Sequence, residues 1–188
     1  MKSHTIFFIG KPGCGKGTQT RLLAERSGWP VFASGELFRE IAKLDTPVGR
    51  KVKIENDAGL LAPHWFAMYL YLKSLFSVTE DMGVIFDGFN RKIPEAELVI
   101  DSLKWLNRSF IVLNIHISDD EVRRRLLGRK EIEGREDDSA AEERLKEYYA
   151  HTEPSMEVFR ATGRLFDLQG EQSRENIAKD ILKVLETQ

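Results

Sequence analysis

The chain has one cysteine, Cys14, among its 188 residues. A single thiol forms neither a disulfide within the chain nor a cysteine-rich zinc site, so we expect a reducing, cytoplasmic setting and no structural zinc. Long apolar runs are missing as well. Nowhere do the roughly 18 consecutive apolar residues of a membrane-spanning helix occur, and the N-terminal run from Ile6 to Ile9 is too short for a signal-peptide core. No membrane partner is therefore expected.

The excess of charge of either sign is small. The 28 Lys and Arg residues nearly balance the 30 Asp and Glu residues, which leaves a net charge of −2 at pH 7. A nucleic-acid partner is disfavoured, because proteins that bind nucleic acids carry an overall basic surface. Any polyanion that binds here must meet locally gathered Lys and Arg. The content of hydrophobic residues, 41%, and the lack of linker-like stretches predict a single domain over residues 1–188.

Predicted strands and helices alternate along the chain. Apolar runs predict strands at 5–9, 31–33, 83–87, 110–117 and 164–168. Helices are predicted at 16–26, at 36–43 behind Ser34 as N-cap, at a start marked by Thr46-Pro47, at 63–76 and at 173–185. Two more are predicted behind Ser118 as cap, through 127, and from a capping box that begins at Ser139, through 159. Because the strands are almost continuously apolar, we expect an α/β fold of three layers, with a parallel sheet flanked by helices on both faces.

A glycine-rich segment lies between the first predicted strand and the first predicted helix. It reads Gly10-Lys-Pro-Gly13-Cys-Gly15-Lys16-Gly17-Thr18. Glycines let backbone N–H groups wrap a phosphate chain without Cβ clashes, the helix N-terminus adds partial positive charge, and Lys16 adds a full one. The segment predicts nucleotide binding; the alternative is a purely structural glycine turn.

Gly17 stands where the general phosphate-binding motif has Ser or Thr, and in this form the loop resembles that of the adenylate kinase family. Segments that resemble the same family cover most of the chain: Ser-Gly-Glu-Leu-Phe-Arg at 34–39, Asn-Asp-Ala-Gly-Leu-Leu-Ala at 56–62, Asp-Gly-Phe-Asn-Arg at 87–91, and the arginine-bearing stretches at 125–129, 134–138 and 144–148. The resemblance implies a P-loop NTPase fold with an NMP-binding insertion at 34–62 and a short lid at 128–137. It also implies the reaction ATP + AMP ⇌ 2 ADP.

The resemblance further implies which residues bind each substrate. Those for ATP would be Gly13, Cys14, Gly15, Lys16, Gly17, Thr18, Arg125, Arg129 and Gly170. Those for AMP would be Ser34, Arg39, Leu60, Leu61, Ala62, Gly88, Phe89, Arg91, Glu95, Arg135 and Arg144. Catalytic roles fall to Lys16, Arg91, Arg129, Arg135 and Arg144, and Asp87 would hold Mg²⁺ through water. The expected partners are thus small-molecule nucleotides, the expected cofactor is Mg²⁺ with ATP, and a monomer is expected.

The physical chemistry of phosphoryl transfer favours these arginines independently. Negative charge spreads over the equatorial oxygens of the transferring group, and a planar guanidinium that is always protonated suits such a group better than an amine does. Arg125 and Arg129 are four residues apart and share one helix face, while Arg135 and Arg144 follow beyond a glycine. The alternative is a solvated basic face on these helices.

Two positions depart from the family pattern. Asn90 replaces the proline before Arg91, and Glu95 stands where adenylate kinases usually have Gln. An ionised carboxylate accepts the N6 hydrogen of adenine but donates nothing to N1, and it suits guanine better. Alternatively, Glu95 is the first-turn acid of a helix that starts near Pro94, held by the helix dipole. A UMP/CMP kinase, a GMP kinase and a non-catalytic P-loop nucleotide-binding module therefore stay open as alternatives.

Overall fold

The computed structural model describes residues 5–133 and 140–187. Within them, five strands form one sheet: β1 (Thr5–Ile9), β2 (Val31–Ala33), β3 (Val84–Asp87), β4 (Phe110–His116) and β5 (Leu165–Gln169). The spatial order is β2-β3-β1-β4-β5, and every neighbouring pair is parallel. The predicted parallel sheet is confirmed, with strand bounds that differ from the predicted ones by no more than about one residue.

Nine helices accompany the strands in the described residues: α1 (Lys16–Ser27), α2 (Ser34–Ala42), α3 (Pro47–Asp57), α4 (His64–Leu75), α5 (Ile93–Trp105), α6 (Asp119–Glu133), α7 (Ala141–Glu147), α8 (Glu153–Arg160) and α9 (Arg174–Glu186). The single helix predicted over 139–159 is divided by a π-helical turn, Tyr148–Thr152. Pro154 explains the division, because it has no N–H to donate and its ring clashes with the carbonyl one turn earlier.

The sheet separates two layers of helices. On one face Phe7, Phe86 and Val112 pack with residues of α2, α3, α4, α5 and α8. On the other face Phe8 and Leu113 pack with residues of α1, α6, α7 and α9. Because side chains alternate across a strand, a central strand with both faces covered is apolar at every position, and β1 is buried along its whole length. The three-layer α/β fold is confirmed.

Helix caps follow the sequence at most of the predicted starts. The hydroxyl of Thr46 accepts the N–H of Gly49 at 3.0 Å, and the hydroxyl of Ser118 accepts the N–H of Glu121 at 3.3 Å. The predicted cap at Ser34 is wrong, because α2 begins at Ser34 itself and its hydroxyl donates elsewhere. The predicted cap at Ser139 lies outside the described residues.

No helix in the two described ranges is both long and apolar enough to cross a bilayer.

Candidate active site

A cavity of about 1390 Å³ opens at the carboxyl ends of β1, β2 and β3. Parallel strands direct their carboxyl ends to the same edge of the sheet, so the loops that follow them meet there. The wall includes the glycine-rich loop, the first turn of α1, parts of α2, residues 59–62, the loop after β3, and side chains from α6 and α7. Segments far apart in the sequence thereby share one space.

The glycine-rich loop presents backbone N–H groups rather than side chains. Gly10, Gly13 and Gly15 have φ values of 135°, 73° and 102°, a region that other residues rarely adopt. Gly15 is the N-cap of α1, and the first turn of that helix has no acidic residue. The orphan N–H groups and the positive end of the helix dipole therefore face the cavity with no acidic side chain of the helix's own first turn beside them, which is the arrangement of an anion site.

Lys16 lies across this loop. Its Nζ donates hydrogen bonds to the carbonyl oxygens of Gly10 and Lys11, both at 2.8 Å, and lies 3.3 Å from Cys14 Sγ. These contacts keep the amino group inside the loop. Cys14 itself is buried and contributes backbone to the loop.

Gly88 connects the loop after β3 to α2. Its carbonyl oxygen accepts the hydroxyl of Ser34 at 2.8 Å and the Nε–H of Arg91 at 2.6 Å. Because β2 pairs with β3 in the register Ala33 to Asp87, the residues that follow these two strands lie side by side. A Cβ at Gly88 would lie 2.6 Å from Arg91 Nη2, and the φ of Gly88 is 73°. Glycine is required here so that the guanidinium can fold back over the backbone.

Asp87, the last residue of β3, faces the start of α1. A Cβ at Gly17 would lie 3.5 Å from Asp87 Oδ2. Burial raises the pKa of the Asp87 carboxyl, while the charges of Lys16, Arg91 and Arg39 act in the lowering direction. Burial lowers the pKa of Arg91, and the carboxylates of Asp87 and Glu95 oppose that shift. Three cations and the acid Glu36 thus act on the Asp87 carboxyl.

Glu95 is 3% exposed and its Oε2 accepts the backbone N–H of Arg91 at 2.8 Å. This contact satisfies an N–H just ahead of α5, as predicted for a first-turn acid. Glu95 also lines the cavity, so contact with a base stays a prediction. Burial raises the pKa of the Glu95 carboxyl, and the Arg91 N–H and the charges of Arg91 and Lys92 act against the rise.

Comparison with known proteins places the chain in a family. The family model described as adenylate kinase matches residues 8–164.

The chain belongs to the adenylate kinase family.

Full-length relatives agree with this assignment. The chain is similar to an adenylate kinase of Synechococcus sp., with 35% identity over 96% of this chain and 95% of the relative. It is also similar to adenylate kinases of Leptospira biflexa, with 35% identity over 95% and 97% of the two chains, and of Bacteroides fragilis, with 32% identity over 97% and 98%. The family is one of nucleoside monophosphate kinases and implies the use of Mg-ATP. Of the functions that the sequence left open, these comparisons support the adenylate kinase.

Most residues that the adenylate kinase resemblance predicted for the site do line the cavity. Of those predicted for ATP, the lining residues are Gly13, Cys14, Gly15, Lys16, Gly17, Thr18 and Arg125; of those predicted for AMP, they are Ser34, Arg39, Leu60, Leu61, Ala62, Gly88, Phe89, Arg91, Glu95 and Arg144. Asp87, predicted for Mg²⁺, lines the same cavity. Gly170 is not in this wall, but its carbonyl oxygen accepts Arg125 Nη2 at 2.9 Å, and Arg125 Nη1 donates to the Cys14 carbonyl oxygen at 3.3 Å. The roles of these residues stay predictions.

The structure does not describe the side chains of two predicted arginines or the second part of the predicted lid. Arg129 belongs to α6, but the description does not extend to its side chain. Arg135 lies outside the described residues, as do positions 134–137 of the predicted lid. By contrast, Arg144 lies on α7 and lines the cavity.

Sequence reasoning missed several contacts. Glu147 Oε2 accepts the backbone N–H of Leu61 at 3.0 Å, and Lys92 Nζ donates to the Ala62 carbonyl oxygen at 3.0 Å. The start of α9 also lines the cavity, at Ser173 and Arg174. The sequence predicted a helix start at Ser173, but nothing local indicated that this start lines the cavity.

Proposed function

We propose that this adenylate kinase transfers the terminal phosphoryl group of ATP to AMP in line and without a covalent enzyme intermediate, within the cavity described above. The observation that carries the proposal is one wall that combines Lys16 and Arg125 with Ser34, Arg39 and Arg91. Its volume of about 1390 Å³ exceeds the roughly 300–1,000 Å³ of a pocket for one small molecule. Room for two nucleotides supports a reaction in which two phosphate chains meet end to end.

ATP would bind with its phosphates on the loop of residues 13–18. The bare N-terminus of α1 and the amino group of Lys16 support this placement, because they offer N–H donors and positive charge at one point. Arg125, held on the loop through the Cys14 carbonyl, would add a guanidinium on the same side. Arg129 and Gly170 complete the proposed ATP set.

AMP would bind in the half of the cavity formed by residues 34–62 and the loop after β3. Its phosphate would contact Arg39 and Arg91, whose positions beside Asp87 and Gly88 support a shared anion site. Leu60, Leu61 and Ala62 would line the ribose and base, and Ser34 and Phe89 would shape the wall.

Charge that develops during transfer would be stabilised by Lys16, Arg91, Arg129, Arg135 and Arg144. Preorganised cations that face the transferring group lower the barrier more than they stabilise the ground state. Closure of the lid at 128–137 over the insertion at 34–62 would exclude water, which favours transfer to AMP over hydrolysis of ATP.

The carboxylate of Asp87 at the end of β3 suits a Mg²⁺ site. The Asp87 carboxylate lies beside the first turn of α1, where it would hold Mg²⁺ through water, and oxygen ligands with retained waters suit this ion. When bound, Mg²⁺ would neutralise phosphate charge. A structural zinc ion is not proposed. In the part of the chain that the structure describes, no group of three or more His, Cys, Asp or Glu side chains is arranged to hold a metal ion.

Glu95 would contact the adenine, and its protonated form would match the base in full. Adenine N1 needs a hydrogen-bond donor and the N6 amine needs an acceptor; a protonated carboxyl group supplies both, as the amide of Gln does. Burial of Glu95 favours the protonated form, and the N–H of Arg91 on Oε2 still allows the other oxygen to carry the proton. The charged groups that face it are Arg91 and Lys92, with Arg39 of α2 and Asp87 of β3 in the same wall.

A coupled assay of phosphate acceptors tests the proposal. With ATP and Mg²⁺, AMP should give a kcat/KM well above those of UMP, CMP and GMP. A bisubstrate dinucleotide should bind much more tightly than ATP alone, because it fills both halves of the cavity. Binding of the dinucleotide no tighter than ATP would refute the two-site arrangement. Equal turnover of AMP and GMP would refute the adenine contact of Glu95. The monomeric state and cytoplasmic localisation stay predictions.

A further inference from the structure

Lys11 is a cation of the glycine-rich loop that the proposed chemistry does not use. Its neighbours Gly10 and Pro12 line the nucleotide cavity, whereas Lys11 is absent from that wall. The residue is only 6% exposed. A buried lysine needs a partner, since burial of an unpaired charge is costly. The side chain therefore has a role away from the phosphates.

The partners of Lys11 come from two other segments. Its Nζ lies 2.5 Å from Oδ1 of Asp119, the first residue of α6. The same oxygen accepts the hydroxyl of Tyr149 at 2.8 Å. Nζ also lies 5.2 Å from the centre of the Tyr149 ring and 5.9 Å from that of Tyr148, within the range of cation–π contacts. Lys11 thus joins the loop to α6 and to the π-helical turn after α7.

The electrostatics favour the ion pair. Burial lowers the pKa of Lys11, but the hydrogen bonds with Asp119 and Tyr149 outweigh it, and the net shift is upward. The hydrogen bond from Lys11 lowers the pKa of the Asp119 carboxyl. The N-terminal end of α6 also stabilises a carboxylate at this position. Both groups are therefore charged at neutral pH.

The backbone of Lys11 carries the functional consequence. Its carbonyl oxygen accepts a hydrogen bond from Lys16 Nζ at 2.8 Å. Gly10 and Gly13, on either side of Lys11, have positive φ values of 135° and 73° and give this stretch little intrinsic rigidity. An anchored side chain between them supplies the order that the backbone lacks. It also holds the start of α6, six residues before Arg125, which contacts the loop at Cys14.

We propose that Lys11 is a positioning residue for ATP: Asp119 and Tyr149 hold its side chain so that the loop and the Lys16 amino group keep their place against α6. This inference rests on the proposed function, because it assigns Lys11 to the ATP half of the cavity. It predicts a selective effect on ATP, since none of the residues that Lys11 contacts belongs to the proposed AMP set.

The test measures binding of a non-hydrolysable ATP analogue and of AMP, kcat, each KM and the melting temperature. Lys11→Met keeps most of the apolar stem, and Tyr149→Phe removes a single hydroxyl and should leave the fold intact. We expect Lys11→Met to weaken ATP binding about 10-fold or more, with a lower kcat, and to change AMP binding by less than about 2-fold. Tyr149→Phe should shift the same quantities in the same direction, but less. Lys183→Met, which removes an exposed lysine of α9 that does not line the cavity, should change nothing.

Asp119 variants separate positioning from a long-range effect of charge. Removal of a negative charge near the phosphates would by itself strengthen ATP binding, whereas loss of the anchor weakens it. We expect Asp119→Asn to weaken ATP binding and Asp119→Glu to restore part of it. Lys11→Met combined with Asp119→Asn should be no worse than the stronger single variant, because both remove one interaction. Tighter ATP binding by Asp119→Asn would overturn the proposal.

Two further outcomes would also overturn it. A lower melting temperature with unchanged ATP binding and kcat would mean that Lys11 only stabilises the fold. Equal weakening of ATP binding and AMP binding would mean that the substitution disturbs the whole cavity. Lys16→Met distinguishes failure of this proposal from failure of the proposed function. If Lys16→Met binds ATP normally, the proposed ATP site itself is wrong. If Lys16→Met loses ATP binding and Lys11→Met retains it, only the positioning role of Lys11 is wrong.

Discussion

Arg91 donates the hydrogen of its Nε to the carbonyl oxygen of Gly88 at 2.6 Å, three residues back along its own loop. The guanidinium therefore lies over a glycine with a φ of 73°, where a Cβ would be 2.6 Å from Nη2. The position of the proposed phosphate ligand depends on the lack of a side chain at Gly88.

Gly88→Ala should therefore displace Arg91 and weaken the binding of AMP. We expect KM for AMP to rise about 10-fold or more, with a much smaller change in KM for ATP. Gly163→Ala is the matched control: Gly163 has a φ of 69°, and nothing lies within 4 Å of a Cβ there. Both variants carry similar backbone strain, so similar kinetics in the two would contradict the role of Arg91.

Lys16→Met should remove the charge that neutralises the transferring phosphate. The expected fall in kcat is about 10²- to 10³-fold, as for other preorganised donors, with an unchanged melting temperature. Steady-state kinetics and thermal unfolding measure the two. Lys104→Met removes an exposed lysine of α5 and should retain full activity. Retention of kcat in Lys16→Met would exclude it from catalysis.

Glu95→Gln should abolish a pH dependence of AMP binding. The pKa of Glu95 is raised above its usual range, and only the neutral carboxyl donates to adenine N1. KM for AMP in the wild type should therefore rise as the pH increases through this raised pKa, while the Gln variant, which always has a donor, keeps a low KM. KM for ATP serves as the internal control. If the KM for AMP depends on pH in the same way in both proteins, Glu95 does not contact the adenine and only accepts the hydrogen bond from the Arg91 N–H.

The same shift predicts a sign for stability. Between the ordinary pKa of a glutamate and the raised value, the folded state holds a proton that the unfolded state has lost. The free energy of unfolding of the wild type should therefore fall with rising pH relative to that of Glu95→Gln across this interval. Chemical denaturation at several pH values measures both free energies. A wild-type free energy of unfolding that rises with pH relative to that of Glu95→Gln would contradict a raised pKa.

Gly83→Ala should destabilise the fold without reaching the site. A Cβ at Gly83 would lie 2.2 Å from Trp29 Cε2, inside a rigid indole ring. Overpacking of this kind costs about 1–3 kcal/mol in the free energy of unfolding. Gly128→Ala, in α6 with nothing within 4 Å of a Cβ, should instead be neutral or gain up to about 1 kcal/mol. Equal stability of the two variants would contradict close packing between Gly83 and Trp29.

The sequence predicted the elements whose cause is local. Apolar runs located all five strands, and Thr46 and Ser118 located two helix starts, because a strand or a cap depends on neighbours within a few residues. The glycine-rich loop was predicted as well, and its Gly10, Gly13 and Gly15 have the positive φ values that other residues rarely adopt. The sequence analysis predicted one helix across Pro154 and missed the π-helical turn before it.

The contacts of Ser34 and Lys11 were decided by the tertiary structure. Ser34 reads locally as a helix cap, yet β2 ends beside β3 and its hydroxyl reaches Gly88 instead. The partner of Lys11 is 108 residues away in the sequence. Local patterns determine which segments become strands, helices and phosphate loops. Which polar groups meet depends on the order of strands in the sheet, because that order sets which carboxyl ends are neighbours, and no stretch of sequence carries it alone.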